Sequence, residues 1–126
     1  MNTILVTDDN SDYRQGIIDI LRLEDYTVIE AVDGARAVEL ARIHHPDLIL
    51  CDIDMPVMDG FGVLTIIKAE FPYTPFILVT SRDDIESREY GLQLGADDYL
   101  VKPMNIELLL EKIQAYLGKG RGVIQL

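Results

Sequence analysis

Five short apolar runs recur along the chain: TILVT (Thr3–Thr7), TVIEAV (Thr27–Val32), DLILC (Asp47–Cys51), FILVT (Phe76–Thr80) and DYLV (Asp98–Val101). Helix-patterned segments separate each from the next. Runs of this length, bounded by turn residues, read as strands. The central ones lack apolar/polar alternation, as burial on both faces requires. Strands separated by helices cannot pair as tight hairpins. The pattern therefore predicts βαβ units and a parallel sheet covered on both faces. The fifth run is shorter and more polar, and is expected at an edge.

The intervening segments carry apolar residues at helical spacing. Ser11 to Leu23 places Ile17, Ile18 and Leu21 on one face, with Asn10 or Ser11 as N-cap. Ala35 to His44 carries Ala37, Val38, Leu40 and Ala41, and Gly60 to Glu70 carries Val63, Leu64, Ile66 and Ile67 behind Asp59 as a cap. Asp83 to Leu94 is the weakest pattern, mostly polar apart from Ile85, Leu92 and Leu94. Ile106 to Leu117 carries Leu109, Leu110 and Ile113 behind Asn105. The tail GKGRGVIQL changes composition abruptly, so residues 1–118 read as one domain and 119–126 as a linker or a frayed end.

The chain has 126 residues, 48% of them hydrophobic, which is enough for the core of one domain. Its 22 acids and 11 bases give a formal charge of -11. That balance argues against nucleic-acid or anionic-membrane binding through the general surface, and leaves room for a small anion at a local site. With one Cys, neither an internal disulfide nor a Cys-based zinc site can form, and Cys51 reads as a small buried hydrophobe. MNTILVTDDN has no basic flank and no apolar stretch long enough for a signal peptide or membrane span, so a cytoplasmic location is expected.

Open parallel sheets bind ligands outside the carboxyl ends of their strands. The residues at which the runs stop are therefore informative. The first stops at Thr7-Asp8-Asp9, the third at Asp52, the fourth at Thr80-Ser81 and the fifth at Lys102-Pro103. The second ends in Val32-Asp33-Gly34, a plain turn and helix start. Taken singly, each has an ordinary reading: an acid as a helix cap, Lys102 as a surface lysine, Thr80 as a strand-end cap. Taken jointly they bring three carboxylates, a hydroxyl and an ammonium to one edge. Clustered carboxylates take up protons unless a cation is present, and Mg²⁺ suits few carboxylates with remaining waters. A carboxylate facing a metal, an ammonium and a hydroxyl can act as a nucleophile toward phosphorus. Asp52 is the candidate.

The motifs ILVTDDN, LILCDIDMPVMDG, ILVTS and GADDYLVKP, with their order and spacing, resemble the receiver domain of two-component response regulators over about Ile4 to Leu117. The resemblance implies an α/β, flavodoxin-like (βα)5 three-layer sandwich with sheet order 2-1-3-4-5. It implies Asp52 as phosphoacceptor from a histidine kinase phosphohistidine. Asp8, Asp9, Asp52 and the backbone carbonyl of Asp54 would hold Mg²⁺, or Mn²⁺ in its place. Lys102 would bridge to phosphoryl oxygens. Thr80 would move onto the phosphoryl group, and Tyr99 would turn inward behind it. Lys102–Pro103 is expected to be cis, a bond that proline makes accessible. The fourth helix, fifth strand and fifth helix would form the output face toward an effector. Such a domain catalyses its own phosphorylation and a slow dephosphorylation, and is not a multiple-turnover enzyme.

Several positions are particular to this chain. Asp54 adds an acid two residues after the acceptor, and Arg82 is a candidate partner across the mouth. Ser81 is small enough to admit a donor. Arg88, Asp97, Asp98 and Lys112 suit in part the charge network of dimer-forming regulators, but Leu108 stands where an acid is expected, so dimerisation stays open. His44-His45 suits a helix C-terminus, and Met55, Met58 and Met104 suit gap-filling.

Two rival readings belong to other classes. LILCDIDMP also resembles the DxD motif of haloacid-dehalogenase-type phosphatases, with Asp52 as nucleophile and Asp54 as acid. Against this, the motif lies on the third strand, the chain is short for a cap, and no acidic pair follows Lys102. The second rival is a receiver-like interaction module that never accepts phosphate; the full set of site residues argues against it.

Overall fold

The computed structural model describes the backbone of residues 2–124 and the side chains of residues 2–118. Strands and helices alternate: β1 Thr3–Thr7, α1 Ser11–Leu23, β2 Thr27–Ala31, α2 Gly34–His44, β3 Leu48–Cys51, α3 Gly60–Glu70, β4 Phe76–Thr80, α4 Ile85–Gln93, β5 Asp98–Val101 and α5 Ile106–Ile124. The strands form one five-stranded sheet in the order β2-β1-β3-β4-β5, and all four pairings are parallel. This is the flavodoxin-like order, with β5 at an edge as its polarity predicts.

Alternation along the strands splits the core into two halves. Leu5, Ile49, Cys51, Leu78 and Tyr99 face the layer of α2 and α3. Ile4, Val6, Leu48, Leu50, Ile77, Val79 and Leu100 face α1 and α5, against Ile17, Ile18, Leu21, Leu109 and Ile113. β3 and β4 are buried along their whole length, so neither face of them has a polar side until the chain leaves the sheet. Polar residues are thereby displaced to the strand ends, where the site lies.

The helix starts are fixed by side-chain caps. Asn10, Asp33, Asp59 and Asp84 each accept from a backbone N–H of the following turn, and Asn105 Oδ1 accepts from Leu108 N at 3.2 Å. α4 is shorter than expected, because Asp84 caps it and excludes Asp83; only Ser87 and Gly91 of this helix are buried. α5 continues past the expected stop at Leu117 to Ile124. Glycine disfavours a helix by about 1 kcal/mol relative to alanine but does not by itself end one. The side chains of 119–126, and residues 125 and 126 entirely, lie outside the described residues, and with them part of the predicted tail. Among the described residues, no helix is long and apolar enough to cross a membrane.

Candidate functional site at the carboxyl edge of the sheet

β1 and β3 are neighbours, with Thr7 paired to Cys51, so the residues that follow them emerge side by side. Asp52 N donates to Thr7 O at 3.0 Å and carries the pairing one step further. Asp8 and Asp52 are both buried, at 4% and 7% exposure, while Asp9 is exposed. One carboxylate oxygen from each of Asp8, Asp9 and Asp52 lies within 4.8 Å of the others. Asp8 is anchored by Asn10 N on Oδ1 at 2.9 Å, and its backbone oxygen accepts from the Arg14 guanidinium at 2.6 Å.

The loop after β3 folds back on the strand it leaves. Gly60 N donates to Ile53 O at 2.8 Å. A Cβ at Gly60 would stand 2.1 Å from Asp52 O and 2.8 Å from Ile53 Cα. Only glycine permits so close an approach, and the approach fixes the backbone of Asp52.

Lys102 enters from the other side. Its N donates to Thr80 O at 2.8 Å, and the cis Lys102–Pro103 bond follows. The Lys102 ammonium lies 2.6 Å from Asp8 Oδ2 and 3.1 Å from Asp52 Oδ2. Burial alone would lower its pKa. Hydrogen bonds and charge from Asp8 and Asp52 outweigh burial, and the pKa is raised. The ammonium therefore stays charged in a partly buried site, where charge interactions are stronger than in water.

Asp52 has no free oxygen: Oδ2 accepts from Lys102, and Oδ1 accepts from Ile53 N at 2.7 Å and weakly from Asp54 N at 3.4 Å. A carboxylate oxygen has two acceptor directions, so Oδ2 keeps one for a new bond.

Thr80 is fully buried at the end of β4, and its hydroxyl oxygen accepts from Arg82 N at 3.3 Å. Tyr99 is already inward, 2% exposed, with its hydroxyl donating to Arg82 O at 2.8 Å. The Arg88 guanidinium sits 5.7 Å from the Tyr99 ring centre and donates to Tyr99 O at 3.3 Å. In this structure the Tyr99 ring is inward, held from the β4–α4 loop and from α4.

Arg82 and Asp54 do pair across the mouth. Arg82 Nε lies 3.0 Å from Asp54 Oδ2 and 3.2 Å from Oδ1, and the terminal guanidinium nitrogen also bonds Asp54 Oδ1. This hydrogen bonding holds the Asp54 pKa below the usual carboxylate value. Ser81 is exposed beside them. Of the predicted charge network, Asp98 pairs with Lys112 at 3.0 Å, but Asp97 pairs with Lys68 of α3 at 2.8 Å. Asp97 also accepts from Phe76 N, so it serves the start of β4.

Sequence reasoning missed Tyr13. Its ring centre is 4.2 Å from the Lys102 ammonium, and burial raises its phenol pKa despite the nearby cation. Helical periodicity gives no sign of this, because the contact joins the first turn of α1 to the end of β5. The donor set suits a hard divalent cation: every candidate ligand is oxygen, and two of the three carboxylates are fixed by the sheet.

A family model described as the response regulator receiver domain matches residues 4–114. Transcriptional regulatory protein PrrA of Mycobacterium tuberculosis is 41% identical over 116 residues, covering 92% of this chain and 50% of that protein. Response regulator MprA of Mycobacterium ulcerans is 38% identical over 118 residues, covering 94% of this chain and 51% of that protein. The chain spans about half the length of the curated relatives it matches. Among solved structures, the Francisella response regulator 1452 receiver domain aligns with a TM-score of 0.89 at 30% identity, covering 95% of this chain and 99% of that one. The Vibrio cholerae chemotaxis protein CheY4 aligns with a TM-score of 0.87 at 34% identity, covering 93% and 99%.

Proposed function

This chain belongs to the response regulator receiver domain family, and from that premise we propose that Asp52 accepts a phosphoryl group from the phosphohistidine of a sensor histidine kinase. Response regulators of two-component systems partner with histidine kinases and effectors. The observation that carries the assignment is a buried carboxylate at the end of β3 whose Oδ2 lies 3.1 Å from the Lys102 ammonium, with the Asp8 and Asp9 carboxylates beside it.

In the transfer, an Asp52 oxygen forms a bond to phosphorus. The P–N bond of the donor breaks, and its electron pair goes to the imidazole, which takes a proton from solvent. Lys102 carries positive charge against the phosphoryl oxygens. Thr80 turns its hydroxyl from Arg82 N to a phosphoryl oxygen and becomes a donor there. Asp8, Asp9 and Asp52, with the backbone carbonyl of Asp54, would hold Mg²⁺, or Mn²⁺ in its place, and the ion would neutralise the same oxygens. Exposed Ser81 leaves the mouth open to the donor.

Phosphorylation adds roughly -1.5 to -2 charge at one point. Because Tyr99 is already buried, the response is carried by the 80–82 segment: when Thr80 leaves, Arg82 N loses its acceptor while Arg82 O still holds the Tyr99 hydroxyl. The signal then reaches α4, β5 and α5, where Ile85, Tyr90, Leu92 and Leu108 are exposed. An effector segment or protein, or a second copy of the chain, would read that face. The product stays attached, so the chain performs one transfer per phosphoryl group and then hydrolyses it slowly. A cytoplasmic location fits this chemistry.

The phosphatase reading is not favoured. Asp54 is clasped by Arg82 rather than poised as an acid, and the DxD motif directly follows β3, the third strand.

Phosphoramidate with Mg²⁺ is expected to add one phosphoryl group per chain at Asp52, read by intact mass and by peptide mapping. Asp52→Asn and a metal chelator should each abolish it. Turnover of a generic phosphate ester would restore the phosphatase, and absence of labelling would leave a pure interaction module.

A further inference from the structure

We propose that Tyr13 is a positioning residue for this phosphoryl transfer, its ring face holding the Lys102 ammonium over Asp8 and Asp52. The inference rests on the reading of Asp52 as acceptor. An ammonium has three N–H donors. Two carboxylates engage Lys102, Asp8 Oδ2 at 2.6 Å and Asp52 Oδ2 at 3.1 Å. The Tyr13 ring centre lies 4.2 Å from the same nitrogen, well inside the range of about 6 Å over which a ring face attracts a cation. The Lys102 side chain is 12% exposed, and desolvation strengthens that attraction.

Tyr13 is not a chance neighbour. It occupies the first turn of α1, and its backbone N–H is held by the Asn10 cap at 2.9 Å. Asn10 N in turn holds Asp8 Oδ1 at 2.9 Å. One turn of chain therefore sets both the carboxylate and the ring that Lys102 touches. The ring also lines a small cavity with Thr7, Asp8, Asp52 and Met104.

Lysine is a point charge on a flexible, strongly hydrated stem. To serve a phosphoryl group on Asp52, the ammonium must exchange its Asp52 contact for a phosphoryl oxygen. The ring contact does not change in that exchange, so it keeps the charge at the mouth throughout. An aliphatic side chain would fill the same volume without a negative ring face.

Nuclear magnetic resonance tests the contact directly. In the wild type, the Lys102 Cε protons should be shifted upfield by the ring current, with the signal assigned through its loss in Lys102→Met. The shift should persist in Tyr13→Phe and vanish in Tyr13→Leu. Phosphoramidate labelling at saturating Mg²⁺ tests the consequence. Tyr13→Phe should label within about twofold of wild type and Tyr13→Leu about tenfold more slowly, with thermal melts showing both folded. If Tyr13→Leu does not fold, Tyr13→Met takes its place. An unshifted wild-type signal, or an aliphatic variant that labels as fast as wild type, overturns the inference alone. A wild type that is never labelled overturns the Asp52 reading and this inference together.

Discussion

Cys51 lies in β3 beside the proposed acceptor, yet its chemistry is suppressed. Burial pushes its thiol pKa well up, and the carboxylates of Asp52, Asp8 and Asp59 push it further. The thiolate is the reactive form. Iodoacetamide at neutral pH is therefore expected to leave the folded chain unmodified and to label Cys51 only in denaturant; modification of the native state at the rate of a free thiol would contradict the burial. The Asp54–Arg82 pair, by contrast, is exposed, and such pairs contribute about 0.2–1 kcal/mol to stability. We propose that its effect belongs to the mouth it spans, where it would hinder the water that hydrolyses an acyl phosphate. Asp54→Ala and Arg82→Ala should each shorten the lifetime of phosphorylated Asp52 severalfold, measured by loss of label after donor removal. Lifetimes unchanged from wild type in both variants would reject the role.

At the scale of elements, Gly60 and α4 mark opposite extremes of constraint. Gly60 begins α3 against the backbone of Asp52, so the Cβ of Gly60→Ala would meet a carbonyl and not a yielding side chain. The substitution should cost about 3 kcal/mol or more in chemical denaturation, and should slow labelling because it displaces Asp52, the proposed acceptor. α4 buries only Ser87 and Gly91 and is tied to its neighbours by Arg88 on Tyr99, by Tyr90 against Phe61 and by its cap. Removing that cap in Asp84→Ala should cost about 1 kcal/mol. The loss should appear as faster amide exchange across Ile85–Gln93 with the strands unchanged, since the helix opens locally before the sheet does. Uniform acceleration would mean that α4 is part of the global unit. The same contrast explains what could be read in advance. β3 and β4 were legible because burial on both faces leaves an unbroken apolar run. The bounds of α4 were not, because Ile85, Leu92 and Leu94 form no stripe, and Asp83 and Asp84 are equivalent in sequence until one caps. The end of α5 was misjudged because glycine weakens a helix without defining its stop.

For the molecule as a whole, a parallel sheet is what makes a distributed site readable. Lys102 lies 94 residues from Asp8 and 50 from Asp52, yet contacts both. Once the strands run the same way, every carboxyl end must fall on one edge. Side-chain states do not follow from that rule: the inward Tyr99 and the ring of Tyr13 against Lys102 depend on tertiary packing that no local pattern encodes. Buried and half-buried phenols are expected to bear on the response of the whole fold to alkali. Tyr13, Tyr99 and Tyr116 all have pKa values raised above 10.0, in each case first by burial. Lys102 is raised as well, by its carboxylate partners against the effect of burial. A group with a folded pKa above its unfolded value keeps its proton in the native state after the unfolded chain has released it. Stability from these groups is therefore complete below the unfolded values and declines as pH rises through the folded ones. Each tyrosinate formed also adds to a formal charge already at -11. Urea unfolding between about pH 8 and about pH 11 at fixed ionic strength should show a falling free energy above about pH 10, the ordinary tyrosine value. Tyr99→Phe and Tyr116→Phe should start lower, because each loses the hydrogen bond its hydroxyl makes to Arg82 O or Asp97 O, but should fall less steeply. Variants with slopes equal to wild type would show that these phenols do not set the alkaline limit.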